Sequence, residues 1–411
     1  MVDSAVAVVE RCRVLASITD VPGIIQRTFL SPASRRCIER VRSWMEDAGL
    51  SASLDPVGNL RGLYPARTRT APRLIIGSHL DTVPDAGAFD GILGVMIGLA
   101  LIEHLNGTRL SFQIELVGFS EEEGVRFKTP FIGSRTLVRQ AGRDLLSRED
   151  ANGITVEQAI ADFGLRPDRI GDAAIDSSAF GFLEFHIEQG PVLESLDRSL
   201  GVVNAIAGQT RGEIIFSGSA NHAGTTPMHL RRDALAGASE WIGHVEDIAR
   251  STRNLVATVG RIEVAPGAGN VIAGRACMSL DIRHSDDEIR IAATKTLVDL
   301  AHSIAQQRRL CCEWRLDLEQ AAVRLDPALS DMAVEAVRAA GTDPVIMVSG
   351  AGHDAMILAE HIPSSMIFLR SPGGVSHHPD ETVKIEDVHD AIVAGICFLN
   401  SLDEVITGTN A

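Results

Sequence analysis

Residues 74–119 read LIIGSHLDTVPDAGAFDGILGVMIGLALIEHLNGTRLSFQIELVGF, and this stretch decides the fold class. The apolar run at 74–78 predicts a short buried strand, residues 91–105 predict a helix, and residues 111–119 predict a second strand. Strands that alternate with helices of this length are typical of an α/β layered sheet. We therefore expect the first half of the chain to form an α/β domain.

Other patterns in the first half agree with this expectation. Ser31 can cap a helix over residues 31–48, and Pro32 suits its first turn. Residues 141–172 are more polar and predict a helical excursion, whereas residues 182–188 alternate like a strand.

Around residue 200 the pattern changes to that of a separate domain. The predicted elements are strand 207–217, helix 233–251, strands 254–263 and 271–284, helix 286–307 and strand 310–319. This β-α-β-β-α-β order is the ferredoxin-like arrangement. A helix at 326–340, a strand at 366–370 and a helix at 386–401 follow. We thus expect a discontinuous α/β domain, 1–205 with 320–411, and an inserted domain at 206–319.

The composition and missing strings exclude several classes of protein. The 411 residues carry a formal charge of −16, from 38 basic and 54 acidic side chains, which argues against a nucleic-acid partner. None of the three lysines follows a glycine, so the chain has no Walker A phosphate loop. It also has no GxSxG string, the nucleophile elbow of many serine hydrolases.

The sequence predicts a cytoplasmic protein with no membrane partner. The six cysteines are scattered, and the first 20 residues lack the apolar core of a signal peptide. The longest apolar run, at 91–102, is shorter than the roughly 20 residues needed to span a bilayer. We therefore interpret that run as a buried helix.

Histidine, aspartate and glutamate are concentrated in five loops after predicted strands, where ligands tend to bind in α/β sheets. The strings are GSHLDT (His79, Asp81), AFDGILG (Asp90), FSEEEGVRF (Glu121, Glu122, Glu123), FHIEQG (His186, Glu188, Gln189) and GGVSHHPDE (His377, His378). Each string alone has a plain alternative: a turn residue, a solvated charge run, a core histidine or a surface loop. Three adjacent carboxylates between an apolar strand and a glycine would, however, repel one another unless a cation offsets the repulsion.

Together the five strings supply a set of nitrogen and oxygen ligands, namely His79, Asp90, Glu123, His186 and His377. This set suits two zinc or manganese ions bridged by one carboxylate. A spare glutamate would serve as a general base. The residues alone therefore predict a two-metal hydrolase.

The same strings also resemble a known family. GSHLDTV, FDGILGV, FSEEEGVRF, FHIEQGPVLE, NHAGTTPM, GAGHDAM and GGVSHHPDE are similar to the hydantoinase/carbamoylase branch of the aminoacylase-like metallopeptidases. That branch includes hydrolases of allantoate, N-carbamoyl-L-amino acids, ureidoglycolate and β-ureidopropionate. The resemblance implies a zinc-peptidase-like catalytic domain with an inserted ferredoxin-like α+β domain that serves for dimerisation and as a lid.

The resemblance assigns a role to each metal ligand. It implies that His79 and His186 bind one ion, that Glu123 and His377 bind the other, and that Asp90 bridges them. His186 stands where related peptidases have a carboxylate, which marks this branch of the family.

The resemblance also assigns the catalytic groups. Glu122 matches the general base, and Asp81 matches the acid that orients His79. His222 matches a histidine that stabilises the transition state and reaches the site from the inserted domain of a partner subunit, which implies a homodimer. Glu121 is interpreted as solvated.

The remaining matches concern the substrate. Asn270 and Arg283 match groups that bind its carboxylate, and Gln189 and His353 match residues that line its pocket. We expect a small ureido compound with a carboxylate, and allantoate first, because GQTR at 208–211 and FSEEEGVRF look more like allantoate amidohydrolases. The reaction would release ammonia and carbon dioxide.

Other interpretations remain open on the sequence. N-carbamoyl-L-amino acids are the second choice of substrate, with ureidoglycolate and β-ureidopropionate as further alternatives. A peptidase or aminoacylase is disfavoured by His186, which replaces a carboxylate. A non-catalytic metal-binding protein is disfavoured because Glu122 and all five ligands are present.

Overall fold

The computed structural model describes residues 2–408, which divide into two compact units. Ala205–Arg324 forms one of them, here called the central unit. The segments before and after it form the other, here called the flanking unit.

Residues 2–408 form twelve α-helices and fourteen β-strands, numbered in chain order. The helices are α1 Val2–Ala16, α2 Pro32–Asp47, α3 Ile92–Leu105, α4 Ile132–Leu137, α5 Arg143–Leu146, α6 Val156–Asp162, α7 Val192–Ser195, α8 Ala234–Ser251, α9 Asp287–Arg308, α10 Pro327–Ala339, α11 Asp354–Leu358 and α12 Ile385–Thr407. The strands are β1 Ser51–Leu54, β2 Leu60–Tyr64, β3 Arg73–His79, β4 Gln113–Phe119, β5 Ala179–Ile187, β6 Leu200–Ile206, β7 Gly208–Ser217, β8 Val256–Thr258, β9 Ile262–Ala265, β10 Arg275–His284, β11 Cys311–Gln320, β12 Val323–Arg324, β13 Val345–Ser349 and β14 Ser364–Leu369.

The larger sheet is mixed. Within the described residues it has nine strands in the order β1-β2-β4-β3-β5-β14-β6-β12, and β13 pairs with β6. The neighbours β4, β3, β5 and β14 are parallel, whereas β2 pairs antiparallel with β1 and β4, and β6 with β14 and β12. The strand–helix–strand predicted at 74–119 is β3, α3 and β4, so the expected α/β fold is confirmed.

Helix α3 is the apolar run predicted to be a buried helix. It is buried without interruption from Ile92 to Ile102, as a helix that is apolar on all sides must be. Gly94 allows it to lie close to β5, because a Cβ there would come within 2.0 Å of the Phe185 carbonyl oxygen. No helix in residues 2–408 is both long enough and apolar enough to cross a membrane.

The central unit contains an antiparallel sheet in the order β11-β7-β10-β8, with β9 beside β10. Alternate β10 residues, among them Met278 and Ile282, are buried in a core shared with α8 and α9. Trp241 on α8 links this helix to α9, because its Nε1 donates a hydrogen bond to the Leu297 carbonyl oxygen (2.9 Å). The single strand predicted at 254–263 is in fact two short strands, β8 and β9.

Candidate metal centre

The predicted metal ligands come from one edge of the larger sheet. His79 is the last residue of β3, His186 lies at the end of β5, and Glu123 follows β4. His377 lies in the loop after β14. Because β4, β3, β5 and β14 are parallel neighbours, their carboxyl ends meet at this edge.

Asp90 lies between two pairs of ligands. Its Oδ1 is 3.4 Å from His186 Nε2 and 4.0 Å from His79 Nε2. Its Oδ2 is 3.3 Å from His377 Nε2, which in turn is 3.6 Å from Glu123 Oε1. Each carboxylate oxygen of Asp90 therefore serves one group of ligands, as a bridging carboxylate requires.

Hydrogen bonds fix which imidazole nitrogens face Asp90. Nδ1 of His79 lies 3.0 Å from the Asp81 carbonyl oxygen, and Nδ1 of His186 lies 2.9 Å from the Ile187 carbonyl oxygen. A carbonyl can only accept, so both Nδ1 atoms donate, and in the neutral ring each Nε2 then has a lone pair for a cation. The two Nε2 atoms are 3.4 Å apart, an arrangement that a cation between them would stabilise.

The donor set fits divalent metal ions. Asp90 Oδ2 and Glu123 Oε1 are buried and have no hydrogen-bond partner within residues 2–408. Buried polar atoms are rarely left unpaired, so each such atom needs an explanation. Imidazole nitrogens and carboxylate oxygens within 4.8 Å of one another are what zinc or manganese ions bind.

The electrostatics of the site also favour a bound cation. Burial raises the pKa of Glu122 well above its usual value, and the nearby carboxylates of Glu123 and Asp354 raise it further. Burial, together with the charge on Asp90, raises the pKa of Glu123 to about 10. Burial also acts to raise the pKa of Asp90. The imidazoles of His377, His186 and His79 outweigh this effect and hold the pKa of Asp90 below its usual value. A bound divalent ion would oppose the raised pKa values of Glu122 and Glu123, because its positive charge favours the ionised carboxylate.

Gly91 makes room for His79. Its φ of +68° is a conformation that residues with a Cβ rarely adopt. A Cβ at this position would lie 2.4 Å from Cδ2 and Nε2 of His79. The glycine of FDGILG is therefore needed both for the turn and for the position of His79, the candidate metal ligand beside it.

Asp81 differs in detail from the sequence interpretation. Its carbonyl oxygen, rather than its carboxylate, accepts from His79 Nδ1, and the carboxylate oxygen Oδ1 is 3.6 Å from that nitrogen. The carboxylate instead accepts hydrogen bonds from the backbone N–H groups of Glu122 (3.0 Å) and Glu123 (3.1 Å). Asp81 thereby links the His79 loop to the loop that carries the expected base.

Glu121 is not solvated, and that interpretation was wrong. Its side chain is fully buried, and burial raises its pKa well above the usual value. Neither carboxylate oxygen has a hydrogen-bond partner in the described part of the chain. The sequence could not reveal this, because three consecutive acids normally indicate an exposed charge run.

Gln189 and His353 lie beside the ligands. Gln189 Nε2 donates to Asp90 Oδ1 at 3.1 Å. His353 packs edge-on against His186, with ring centroids 4.5 Å apart. Its Nε2 is 2.8 Å from Ser349 Oγ, whose own proton goes to a carbonyl oxygen, so Nε2 is the donor. His353 Nδ1 is then a buried acceptor with no partner anywhere in residues 2–408.

The other expected groups lie in the central unit. His222 is exposed, and its Nδ1 accepts a hydrogen bond from the Gly224 N–H (3.0 Å). An isolated bridge joins His222 to Val271, next to Asn270. The main chain thus brings His222 and Asn270 close together, because the Ala223 N–H also donates to the Asn270 carbonyl oxygen (2.9 Å).

Arg283 lies elsewhere in the central unit and is already paired. Its Nε and Nη2 donate to the two carboxylate oxygens of Asp281, at 2.8 and 2.9 Å. Arg211 Nε also donates to Asp281, at 2.8 Å. The guanidinium expected to bind a substrate carboxylate is thus held by a carboxylate of the chain itself.

Sequence reasoning missed Glu381. Its Oε1 accepts from the backbone N–H groups of Phe89 (3.0 Å) and Asp90 (3.1 Å), so it holds the main chain of Asp90 in place. The residue lies inside the GGVSHHPDE string, but only the histidines of that string drew attention. A glutamate four residues after a candidate ligand was the available signal.

The chain is similar to a protein family, to individual relatives of that family and to solved structures. Residues 75–401 match the model of Peptidase family M20/M25/M40. A probable allantoate deiminase from Oryza sativa subsp. japonica is 38% identical over 431 aligned residues, covering 96% of this chain and 87% of its own. An N-carbamoyl-L-amino acid amidohydrolase from Geobacillus stearothermophilus is 38% identical over 368 residues, covering 89% and 90%. The crystal structure of a hydantoinase/carbamoylase family amidase from Burkholderia multivorans matches with a TM-score of 0.92 and 33% identity, covering 97% of each chain.

Proposed function

The chain belongs to Peptidase family M20/M25/M40, and from this membership we propose that it is a dinuclear amidohydrolase that hydrolyses the ureido group of allantoate. Membership, together with the amidohydrolase relatives, confirms the family resemblance and makes the chain a hydrolase of C–N bonds. The observation that carries the proposal is Asp90, whose two oxygens each face a separate group of ligands. The proposed reaction converts R–NH–CO–NH₂ and water to R–NH₂, carbon dioxide and ammonia.

We propose that the centre holds two ions, zinc or manganese. His79 and His186 would hold one, Glu123 and His377 the other, and Asp90 both. Such ions lower the pKa of water and polarise a carbonyl group when they are bound. The support is the donor set itself, with two buried carboxylate oxygens that nothing in residues 2–408 satisfies by a hydrogen bond.

Glu122 is the proposed general base. A carboxylate oxygen of this buried residue lies within 4.8 Å of a ligand atom of His79 and of Glu123, so Glu122 borders both groups of ligands. The Glu122 carboxylate accepts a proton from the attacking water and passes it to the leaving nitrogen. Asp81 fixes the loop by accepting from the Glu122 and Glu123 N–H groups.

Gln189 and His353 are proposed to line the pocket. The amide of Gln189 holds Asp90 Oδ1 through a hydrogen bond. The bare Nδ1 of His353 is suited to accept a hydrogen bond from an N–H group of a ureido substrate. A ureido group offers a terminal NH₂ in addition to its inner N–H, whereas an acetamido group offers only the inner N–H, so this acceptor favours the ureido class.

Two subunits are proposed to complete each site. His222 bridges to Val271 just before β10, and Arg283 lies near the other end of that strand. Positions 274 and 283 are roughly 30 Å apart along an extended strand. One central unit is poorly suited to present both groups to one small substrate. A homodimer through the central units would supply His222 and Asn270 from one subunit and Arg283 from the other.

Arg283 is proposed to bind the substrate carboxylate, because a guanidinium fork matches a carboxylate in two parallel hydrogen bonds. Asp281 already uses that geometry in this structure. The ion pair with Asp281 would therefore orient the guanidinium before the substrate arrives. Arg211 shares the charge of Asp281, which leaves the three groups with a net positive charge for an anionic substrate.

N-carbamoyl-L-amino acids remain the second candidate substrate. The relative that is named for them is as identical to this chain as the relative named for allantoate. The test is ammonia release by the purified protein, loaded with manganese or zinc, from allantoate, N-carbamoyl-L-amino acids, ureidoglycolate, β-ureidopropionate and an N-acetyl amino acid. Turnover of allantoate above the others supports the proposal. Preference for N-carbamoyl-L-amino acids would show that they, and not allantoate, are the substrate. No ammonia release from any ureido compound would refute the proposed class of substrate.

A further inference from the structure

Glu381 connects two loops of the candidate metal centre. Its side chain is almost completely buried. Oε1 accepts from the N–H groups of Phe89 and Asp90, and Oε2 accepts from Ser376 Oγ at 3.2 Å. One buried carboxylate therefore joins the turn before α3 to the loop after β14, next to His377.

The turn before α3 is shaped to admit this carboxylate. Gly87 lies against it, because a Cβ at that position would come within 2.3 Å of Glu381 Oε1. Even alanine at residue 87 would therefore displace the carboxylate. The Glu381 carboxylate therefore depends on a glycine at residue 87 to reach the turn before α3.

The two groups of ligands depend on such a link to different degrees. His79 and His186 belong to β3 and β5, where neighbouring strands fix the backbone. His377 has a half-exposed side chain, lies outside any strand and has a φ of +54°. Loop residues of this kind have few contacts of their own to keep them in place. The Asp90–Glu123–His377 group therefore needs support from outside the strand ladder.

We propose that Glu381 is a positioning residue that sets the Asp90–Glu123–His377 metal position by joining the main chain of Asp90 to the loop that carries His377. The inference rests on the dinuclear centre proposed above. It assigns to Glu381 no contact with substrate or ion. Its effect is larger on this metal position, which depends on both joined loops, than on the His79–His186 position, which shares only Asp90 with it.

The test is the stepwise affinity for manganese of purified variants. Each protein is stripped with chelator and dialysed against a series of free Mn²⁺ concentrations, and bound manganese is counted by mass spectrometry. Glu381→Leu removes all three hydrogen bonds. Loss of an outer partner typically weakens metal binding by about 10- to 100-fold, and we expect a loss of this size for one equivalent and a smaller one for the other.

Two further variants distinguish positioning from general damage to the fold. Glu381→Gln keeps a carbonyl oxygen for the two backbone N–H groups and an amide that can donate to Ser376, so it should restore the second equivalent. Asp20→Leu is the matched control, because the Asp20 carboxylate also accepts from two backbone N–H groups, those of Thr28 (3.4 Å) and Ala33 (2.9 Å). Both partners lie outside the loops that carry the candidate ligands, so this variant should bind two equivalents normally.

The manganese counts test the proposal without any substrate. Loss of one equivalent in Glu381→Leu, with recovery in Glu381→Gln, supports the proposal. Two tight equivalents in Glu381→Leu, equal weakening of both equivalents, or the same loss in Asp20→Leu would overturn it. Failure of the ammonia assay with a normal manganese count would reject the proposed substrate and leave this inference untouched.

Discussion

Replacing Gly91 with alanine tests the metal centre at the point where its packing is tightest. The new Cβ would lie 2.4 Å from the His79 imidazole, where ordinary contacts begin near 3.4 Å. The ring must therefore move by about 1 Å, since carbon contacts are optimal only beyond about 3.5 Å. Metal–ligand distances tolerate deviations of only about 0.2 Å. We expect Gly91→Ala to weaken the His79–His186 metal position strongly.

The effect on turnover can be estimated in the same way. A misplacement of about 1 Å in an active site can reduce the rate by about 100-fold. The φ of +68° with a ψ of −55° adds backbone strain of about 1–3 kcal/mol for a residue with a Cβ. The variant should therefore lose both stability and activity, which calls for a control that separates the two.

Gly49→Ala provides that control. Gly49 has a φ of +86°, and a Cβ there would meet no non-neighbouring atom of residues 2–408 within 4 Å. Its thermal midpoint should also fall, because of backbone strain alone, while manganese count and ammonia release stay at wild-type levels. If Gly91→Ala also kept two tight manganese ions and normal turnover, the close packing of His79 against Gly91 would be refuted.

Four other expectations follow from the same site. Glu122→Gln should lower kcat by about 10²- to 10⁴-fold, the usual contribution of a general base, while the manganese count measured by mass spectrometry stays at two. Arg283→Lys should raise KM for a carboxylate substrate by about 10- to 100-fold in steady-state assays, because charged hydrogen bonds are worth about 1.5–3 kcal/mol. The pKa of Glu123 is raised from 4.5 to about 10, so the stripped protein folds with this group protonated and should lose stability as pH rises through that window. Manganese should flatten the resulting pH dependence of the thermal midpoint, and an equal slope in both forms would contradict the assignment. Finally, mixing His222→Ala with His79→Ala subunits should restore about a quarter of wild-type activity, because half of the dimers then contain one intact site. No restoration on mixing would place His222 outside the partner's site.

The sequence predicted the ligand-bearing edge of the sheet well, for a physical reason. His79, His186 and Glu123 lie at or after the ends of buried strands, and parallel strands bring their carboxyl ends together. An apolar run followed by His, Asp or Glu can be recognised in the amino-acid sequence alone. The α/β fold and α3 were predictable for the same reason, because long apolar runs have few ways to be buried.

Other elements left no comparable signal. The strands β1 and β2 are four and five residues long, and β1 is half-exposed, so neither produces a strong pattern. The central-unit strand predicted at 254–263 is divided because β8 and β9 pair with different parts of β10. Such divisions depend on the partner strand, which local sequence does not specify.

The charged groups behind the ligands were the hardest to predict. Glu121 and Glu381 look like ordinary surface acids in sequence, yet both are buried. Their burial depends on loops that converge from residues almost 300 positions apart, as in the bond from Asp90 N–H to Glu381. The pairing of Arg283 with Asp281 could have been suspected, since the two residues share a face of one strand.

The most direct test of the central claim is the electron paramagnetic resonance spectrum of the wild-type protein titrated with manganese. If Asp90 bridges two ions, the spectrum at two equivalents per chain should be that of a spin-coupled pair, and Asp90→Asn should abolish the coupling. A spectrum of isolated ions at two equivalents, or saturation at one equivalent, would contradict a dinuclear centre.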